Sequence, residues 1–332
     1  MDSVPYKFCE DVIGSHVMTK SDWDDDAKAL TGLWRIAAEK YAENLCILEI
    51  TVWKDQGKWQ CNIEKDWEMP EDMKLPKSIG ELLAMDRRFI RIIDVVFGRD
   101  ADRPINGTVI TISSNDLVEK LIPFLNAQCL SYCSHYYNLH GSPEYRDEDR
   151  KIFQRYVNFY RLYITYNDQH SEDYMVVQTK SNVRLSSLQL NEAVHWPNSD
   201  EIEDFLFDLL RTTEMSIHIH TRPGSLMVTI RSVKDVYNRW CESGEALCIY
   251  ANSNVTEEEL LALTVPEGVT RYGERAKIGS VTMFIVRWRR GTTSVLECRL
   301  ELSDQFRYAA ITDVYIDLSS SLVTAEVEVL DI

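Results

Sequence analysis

The sequence predicts an α/β fold: a small helical cap and a β-hairpin, an irregular βα array with a largely parallel sheet, and an antiparallel β segment at the C-terminus. Three observations predict it. Apolar residues recur at three-to-four spacing in residues 1–42, the period of a helix face. Short β-prone runs then alternate with amphipathic stretches over residues 76–265, as when each helix returns the chain to a shared layer of co-directional strands. Beyond Pro266-Glu267-Gly268 the pattern becomes strand, turn, strand to residue 332.

The cap is read from Tyr6, Phe8, Val12 and Ile13, then Leu30, Leu33, Trp34, Ala37 and Ala38. Between them Ser21-Asp22-Trp23-Asp24-Asp25-Asp26 suits a helix N-terminus, where hydroxyls and carboxylates meet unpaired backbone N–H groups. Leu45 to Trp53 and Lys58 to Ile63 alternate around Asp55-Gln56-Gly57, a hairpin pattern that would pair Trp53 with Trp59. Residues 43–75 form this hairpin and a linker, and the charged segment Glu68 to Lys77, with Pro70 and Pro76, marks the boundary.

In the array, strands are expected at Ile90 to Phe97, Leu130 to Tyr137, Leu162 to Tyr166, Leu185 to Leu190, Ser216 to Thr221 and Leu247 to Ala251. The helices between carry clearer stripes: Ile202, Phe205, Leu206, Leu209 and Leu210, and Val233, Val236, Tyr237 and Trp240. Thr256-Glu257-Glu258-Glu259 has the reciprocal capping pattern. Pro123 should kink or stop the helix over Leu117 to Leu125, because proline has no N–H to give. Val281 to Trp288 and Val295 to Leu302 flank a basic turn, and Ala309 to Leu318 and Leu322 to Leu330 flank a Ser-rich one.

Charge restricts the partners. With 53 Asp and Glu against 36 Lys and Arg the formal charge is −17, which opposes nucleic acid and anionic lipid surfaces. The eight cysteines stand singly without a Cys-x-x-Cys pair and read as reduced, buried thiols. No signal-peptide pattern and no long apolar run occurs, so a cytoplasmic or nuclear protein off the membrane is expected.

Chemistry-bearing motifs are sparse. His218 and His220 would share one strand face, but no third ligand stands at a recognisable spacing. Cys129, Cys133, His135 and His140 gather soft donors among apolar neighbours that favour buried packing. Arg287-Trp288-Arg289-Arg290 fits a charged turn better than a phosphate grip. Acid pairs such as Glu201-Ile202-Glu203-Asp204 suit a solvated helix face. No phosphate loop, nucleophile elbow or zinc-helix motif appears, so we expect no enzyme, no cofactor and no metal site.

The opening residues carry a resemblance. Val4-Pro5-Tyr6-Lys7-Phe8-Cys9-Glu10-Asp11-Val12-Ile13, followed after the acidic segment by Leu30-Thr31-Gly32-Leu33-Trp34, resembles a degenerate F-box, with Val4 where Leu is usual. With Ala38-Glu39-Lys40-Tyr41, the hairpin at Gly57-Lys58-Trp59, Leu210-Arg211-Thr212-Thr213-Glu214 and Val286-Arg287-Trp288-Arg289-Arg290-Gly291, the chain is similar to F-box-like and F-box-associated proteins expanded in nematodes. The array likewise resembles leucine-rich repeats. The resemblance implies a ubiquitin-ligase adaptor: residues 1–42 would dock on a Skp-type subunit, through or behind Val4, Pro5, Phe8, Val12, Leu33 and Trp34, while the rest recognises an unidentified client protein. A stand-alone binding or inhibitory protein is the alternative, because a helical cap on the following sheet uses the same apolar residues.

Overall fold

The computed structural model describes residues 4–15, 27–98, 105–139, 145–192, 196–197, 200–213, 215–220, 226–227, 229–243, 249–278, 281–291, 294–302, 307–313 and 326–330. The fold is mixed α/β, with a helical N-terminus, a largely parallel βα array and an antiparallel C-terminal segment. The chain divides into two units, Met1–Leu185 and Ser186–Ile332. The division falls inside the 76–265 array. The cap shares a core with Ile47, Met69 and Phe89.

The first unit begins with α1 (Tyr6–Ser15) and α2 (Gly32–Asn44), followed by β1 (Cys46–Asp55) and β2 (Lys58–Lys65). The hairpin closes through Gln56 and Gly57, both at positive φ, so Asp55 pairs with Lys58. That two-residue turn sets Trp53 opposite Gln60 and Lys54 opposite Trp59, so the two tryptophans lie on opposite faces instead of pairing. After α3 (Ile79–Ala84) come β3 (Ile90–Phe97), β4 (Thr108–Ile112), β5 (Cys129–Tyr137), α6 (Asp147–Phe153), β6 (Arg161–Tyr166) and α7 (Gln169–Ser181).

The helical stretch before β5 comprises α4 (Ser114–Asp116), a π-helical turn over Leu117–Leu121 and α5 (Ile122–Gln128). Pro123 therefore neither stops nor ends this helix. The helix runs on through it: the widened turn, in which Ile122 N–H donates to the Leu117 carbonyl, lies immediately before the proline, where the ladder must loosen to accommodate a ring with no N–H.

Within this unit the strand order is β4-β2-β1-β3-β5-β6, with β1-β3, β3-β5 and β5-β6 parallel. Strands β3, β5 and β6 each step the same way, and right-handed crossovers then put their helices on one face. That face holds Ile50, Val52, Trp59, Phe97, His135, Tyr137, Leu162 and Ile164, all buried. Phe153 of α6 stacks on Phe97 at 4.3 Å between ring centroids, and Tyr174 of α7 on Tyr137 at 3.8 Å. The alternate residues Glu49, Thr51, Asp94, Val96, Tyr136 and Tyr163 are half-buried on the other face, where Tyr136 and Tyr163 stack at 4.4 Å.

In the second unit the order is β7 (Ser187–Glu192), β8 (Ser216–His220), β9 (Ile249–Asn252), β13 (Arg307–Asp313), β12 (Ser294–Leu302), β11 (Val281–Arg290), β10 (Val269–Ile278) and β14 (Glu326–Leu330). The first three are parallel and the rest antiparallel. β14 lies beside β10 rather than returning along β13, because both edges of β13 are taken, by β12 and β9. Helices α8 (Asp200–Thr212) and α9 (Ile230–Ser243) bury Ile202, Leu206 and Leu209, and Val233, Val236, Tyr237 and Trp240, as the stripes predict. Thr256 and Glu259 make the reciprocal cap of α10 (Glu257–Leu261). No helix among the described residues is long and apolar enough to cross a membrane.

Candidate functional site

The helical cap carries the sequence-predicted site residues. α1 starts after Pro5, whose carbonyl accepts from Phe8 N–H at 2.9 Å and Cys9 N–H at 3.3 Å. Cys9 and Ile13, four apart, face inward and pack with Ala37, Ala38, Tyr41 and Ala42 of α2 against Ile47, Met69 and Phe89. Small residues on α2 let the helices approach closely. Val4 and Trp34 border this core, half-buried, and Val12 is half-buried on α1.

Phe8 and Leu33 point the other way. Phe8 is 52% exposed and Leu33 40%, and the Phe8 ring meets Trp34 edge-on at 6.1 Å. Ile36, absent from the predicted set, is 53% exposed one turn after Leu33. Its three-residue offset from Leu33 was the available signal, since residues three apart share a helix face. Of the predicted residues, the structure brings Phe8 and Trp34 into contact and leaves Leu33 exposed on α2 and Pro5 exposed at the foot of α1.

Polar contacts fasten the cap to the first strands. Glu10 is buried and accepts from Lys40 Nζ at 2.6 Å, with Arg88 Nη1 at 3.9 Å. The Lys40 hydrogen bond holds the Glu10 carboxyl below its usual range. Arg88 in turn clasps Asp86, pulling that carboxyl down to about 2. Arg91 Nη2 of β3 donates to the Gly14 carbonyl at the end of α1 at 2.8 Å.

The other clusters resolve into structural roles. His135 is fully buried, with Nδ1 2.9 Å from the Val95 carbonyl and Nε2 2.7 Å from the Tyr174 hydroxyl. Burial pushes its imidazole down to about 3, so it stays neutral. His218 and His220 share one face of β8 with ring centroids 6.4 Å apart, and their register partners on β7 are Gln189 and Asn191. The basic cluster lies within β11 rather than in the turn. Trp288 is buried, and Arg287 is held by Glu274 and Glu297, each at 2.7 Å. Alternation along the strand puts Arg287 and Arg289 on the face opposite the ring, whereas Arg290 shares its side and donates to the Cys241 carbonyl at 2.8 Å. Glu203 accepts from Thr229 Oγ1 at 2.7 Å and Asp204 pairs with Arg231 at 2.6 Å, both ordinary helix-surface bonds.

No group of three or more metal-capable side chains converges among the described residues. His140, Cys248 and the acidic segment at 21–26 lie outside them. Comparison with protein-family models, with curated proteins and with solved structures returned no match.

Proposed function

We propose that this chain is a non-catalytic protein–protein interaction protein working as an F-box-type adaptor. In this reading the outer face of α1 and α2 docks on a Skp-type subunit of a cullin ubiquitin ligase, and the rest of the chain engages a client. The observation that carries it is the exposure of Phe8 on α1 and of Leu33 and Ile36 on α2, large side chains held in water on helices that already contribute a face to the core. Such exposure has a cost in a monomer and is removed by a partner.

The test is co-purification of the full-length chain with a Skp-type subunit. Leu33→Asp and Ile36→Asp are the informative variants, because both side chains are exposed while Trp34 borders the core. The wild type should co-elute and both variants should not, with unchanged circular dichroism. Failure of the wild type to bind, or equal binding by the variants, sinks the reading.

A second reading is a stand-alone binding protein with no ligase link. It is favoured by the core that the cap shares with Ile47, Met69 and Phe89, which gives α1 and α2 a structural use of their own. A client would then be retained by the Leu33→Asp and Ile36→Asp variants.

A further inference from the structure

We propose that Cys129 and Cys133 are an oxidisable dithiol, a modification site that a hydroperoxide closes to a disulfide. The pairing register places them together. Ile92 of β3 opposes Cys129 and Asp94 opposes Ser134, so two steps along β3 are matched by five along β5. The three extra residues bulge, and the strand folds back until the two sulfurs, four positions apart in sequence, sit 3.4 Å from each other. A regular strand would hold residues four apart at about 13 Å.

The two thiols differ in the ways the chemistry needs. Cys129 is partly exposed, whereas Cys133 is buried. The Tyr156 hydroxyl lies 2.7 Å from the Cys129 sulfur and fixes its direction. Peroxide reaching Cys129 forms an S–O bond as its O–O bond breaks, giving the sulfenic acid and one water. The Cys133 sulfur then attacks the Cys129 sulfur. The S–S bond forms, the S–O bond breaks, and hydroxide leaves with the Cys133 proton as a second water. Two electrons pass from the two thiols to the peroxide, and no other reductant is needed. Cys133 is buried and its thiol is pushed up by burial, so peroxide meets the partly exposed Cys129 first and Cys133 acts only across the 3.4 Å to that sulfur. Cys46, Cys61 and Cys298 are buried on other strands and should stay reduced.

One tryptic peptide, residues 121–146, carries both thiols. The full-length protein is treated with excess hydrogen peroxide, denatured, alkylated with iodoacetamide and mapped without reduction. The expected result is a 121–146 peptide lighter by two hydrogens than the dithiol, carrying no alkyl groups and restored by dithiothreitol. Cys46, Cys61 and Cys298 are expected to be alkylated. In Cys133→Ser the intermediate has no resolving thiol, and dimedone should label Cys129. Recovery of the wild-type peptide with two alkyl groups, or with Cys129 joined to another chain, overturns the proposal.

Discussion

Acidification should loosen the first unit through a single imidazole. His135 is wholly buried among Phe97, Tyr156, Phe159 and Tyr174, and burial lowers its pKa from 6.5 to about 3. The folded pKa lies below the unfolded one, so the unfolded chain takes up the proton first. The stabilisation is present in full above pH 6.5 and is lost as pH falls from there towards 3. Each pH unit in that window costs about 1.4 kcal/mol, so the loss between pH 7 and pH 5 is about 2 kcal/mol. The comparison is with His135→Gln, whose amide can still bond both the Val95 carbonyl and the Tyr174 hydroxyl but cannot titrate. Urea unfolding at both pH values, read by exchange-labelled peptides from β3, β5 and β6, keeps the readout within the first unit. The wild type should lose about 2 kcal/mol more than the variant on acidification. Equal losses, or a His135 ring resonance titrating near pH 6.5, would refute the reasoning, and the resonance can be followed even if the variant folds poorly.

Three further outcomes follow from the packing. Phe153→Ala, removing a ring enclosed by Trp59, Phe97, Tyr137 and Tyr145, should cost about 3–5 kcal/mol in urea unfolding, while Val183→Ala, at 97% exposure, should change stability by less than about 0.5 kcal/mol. Asp149→Ala leaves the Lys54 ammonium, whose side chain is only 9% exposed, without the carboxylate 2.6 Å away and should cost about 3–5 kcal/mol, much of it recovered when Lys54→Met is added. Gly98→Ala should prevent soluble expression of the full chain, because Gly98 has φ of 97° and an added Cβ would fall 1.6 Å from the Asn138 carbonyl oxygen.

What could be read from the amino-acid order was whatever local periodicity encodes. Ile90–Phe97 shows its strand because apolar residues recur along it, and the stripe of Val233, Val236, Tyr237 and Trp240 identifies a buried helix face. Thr108–Ile112 was missed: its five residues are too few to show a period after Asn106 and Gly107. The opposite faces of Trp53 and Trp59 turn on whether two or three residues make the hairpin loop, which alternation alone does not decide. The cap residues were legible as apolar, but not as inward or outward. Val12 and Leu33 belong to the same pattern, yet only contact with Ile47 and Phe89 settles which side of each helix becomes core. The meeting of Cys129 and Cys133 was hidden for a different reason, since a bulge is a mismatch between two strands and leaves no mark on one of them.

The antiparallel pairing of β13 with β9 has an evolutionary consequence. A series of like βα units has no intrinsic length, because each newcomer presents the same kind of edge to its successor. A strand running the opposite way ends that series: a following crossover unit would meet the wrong polarity of donors and acceptors. β2 and β4 do the same beyond β1. In each unit, duplications that add or remove a βα element are therefore confined to the side away from its own antiparallel strands, and homologues of different size should differ there.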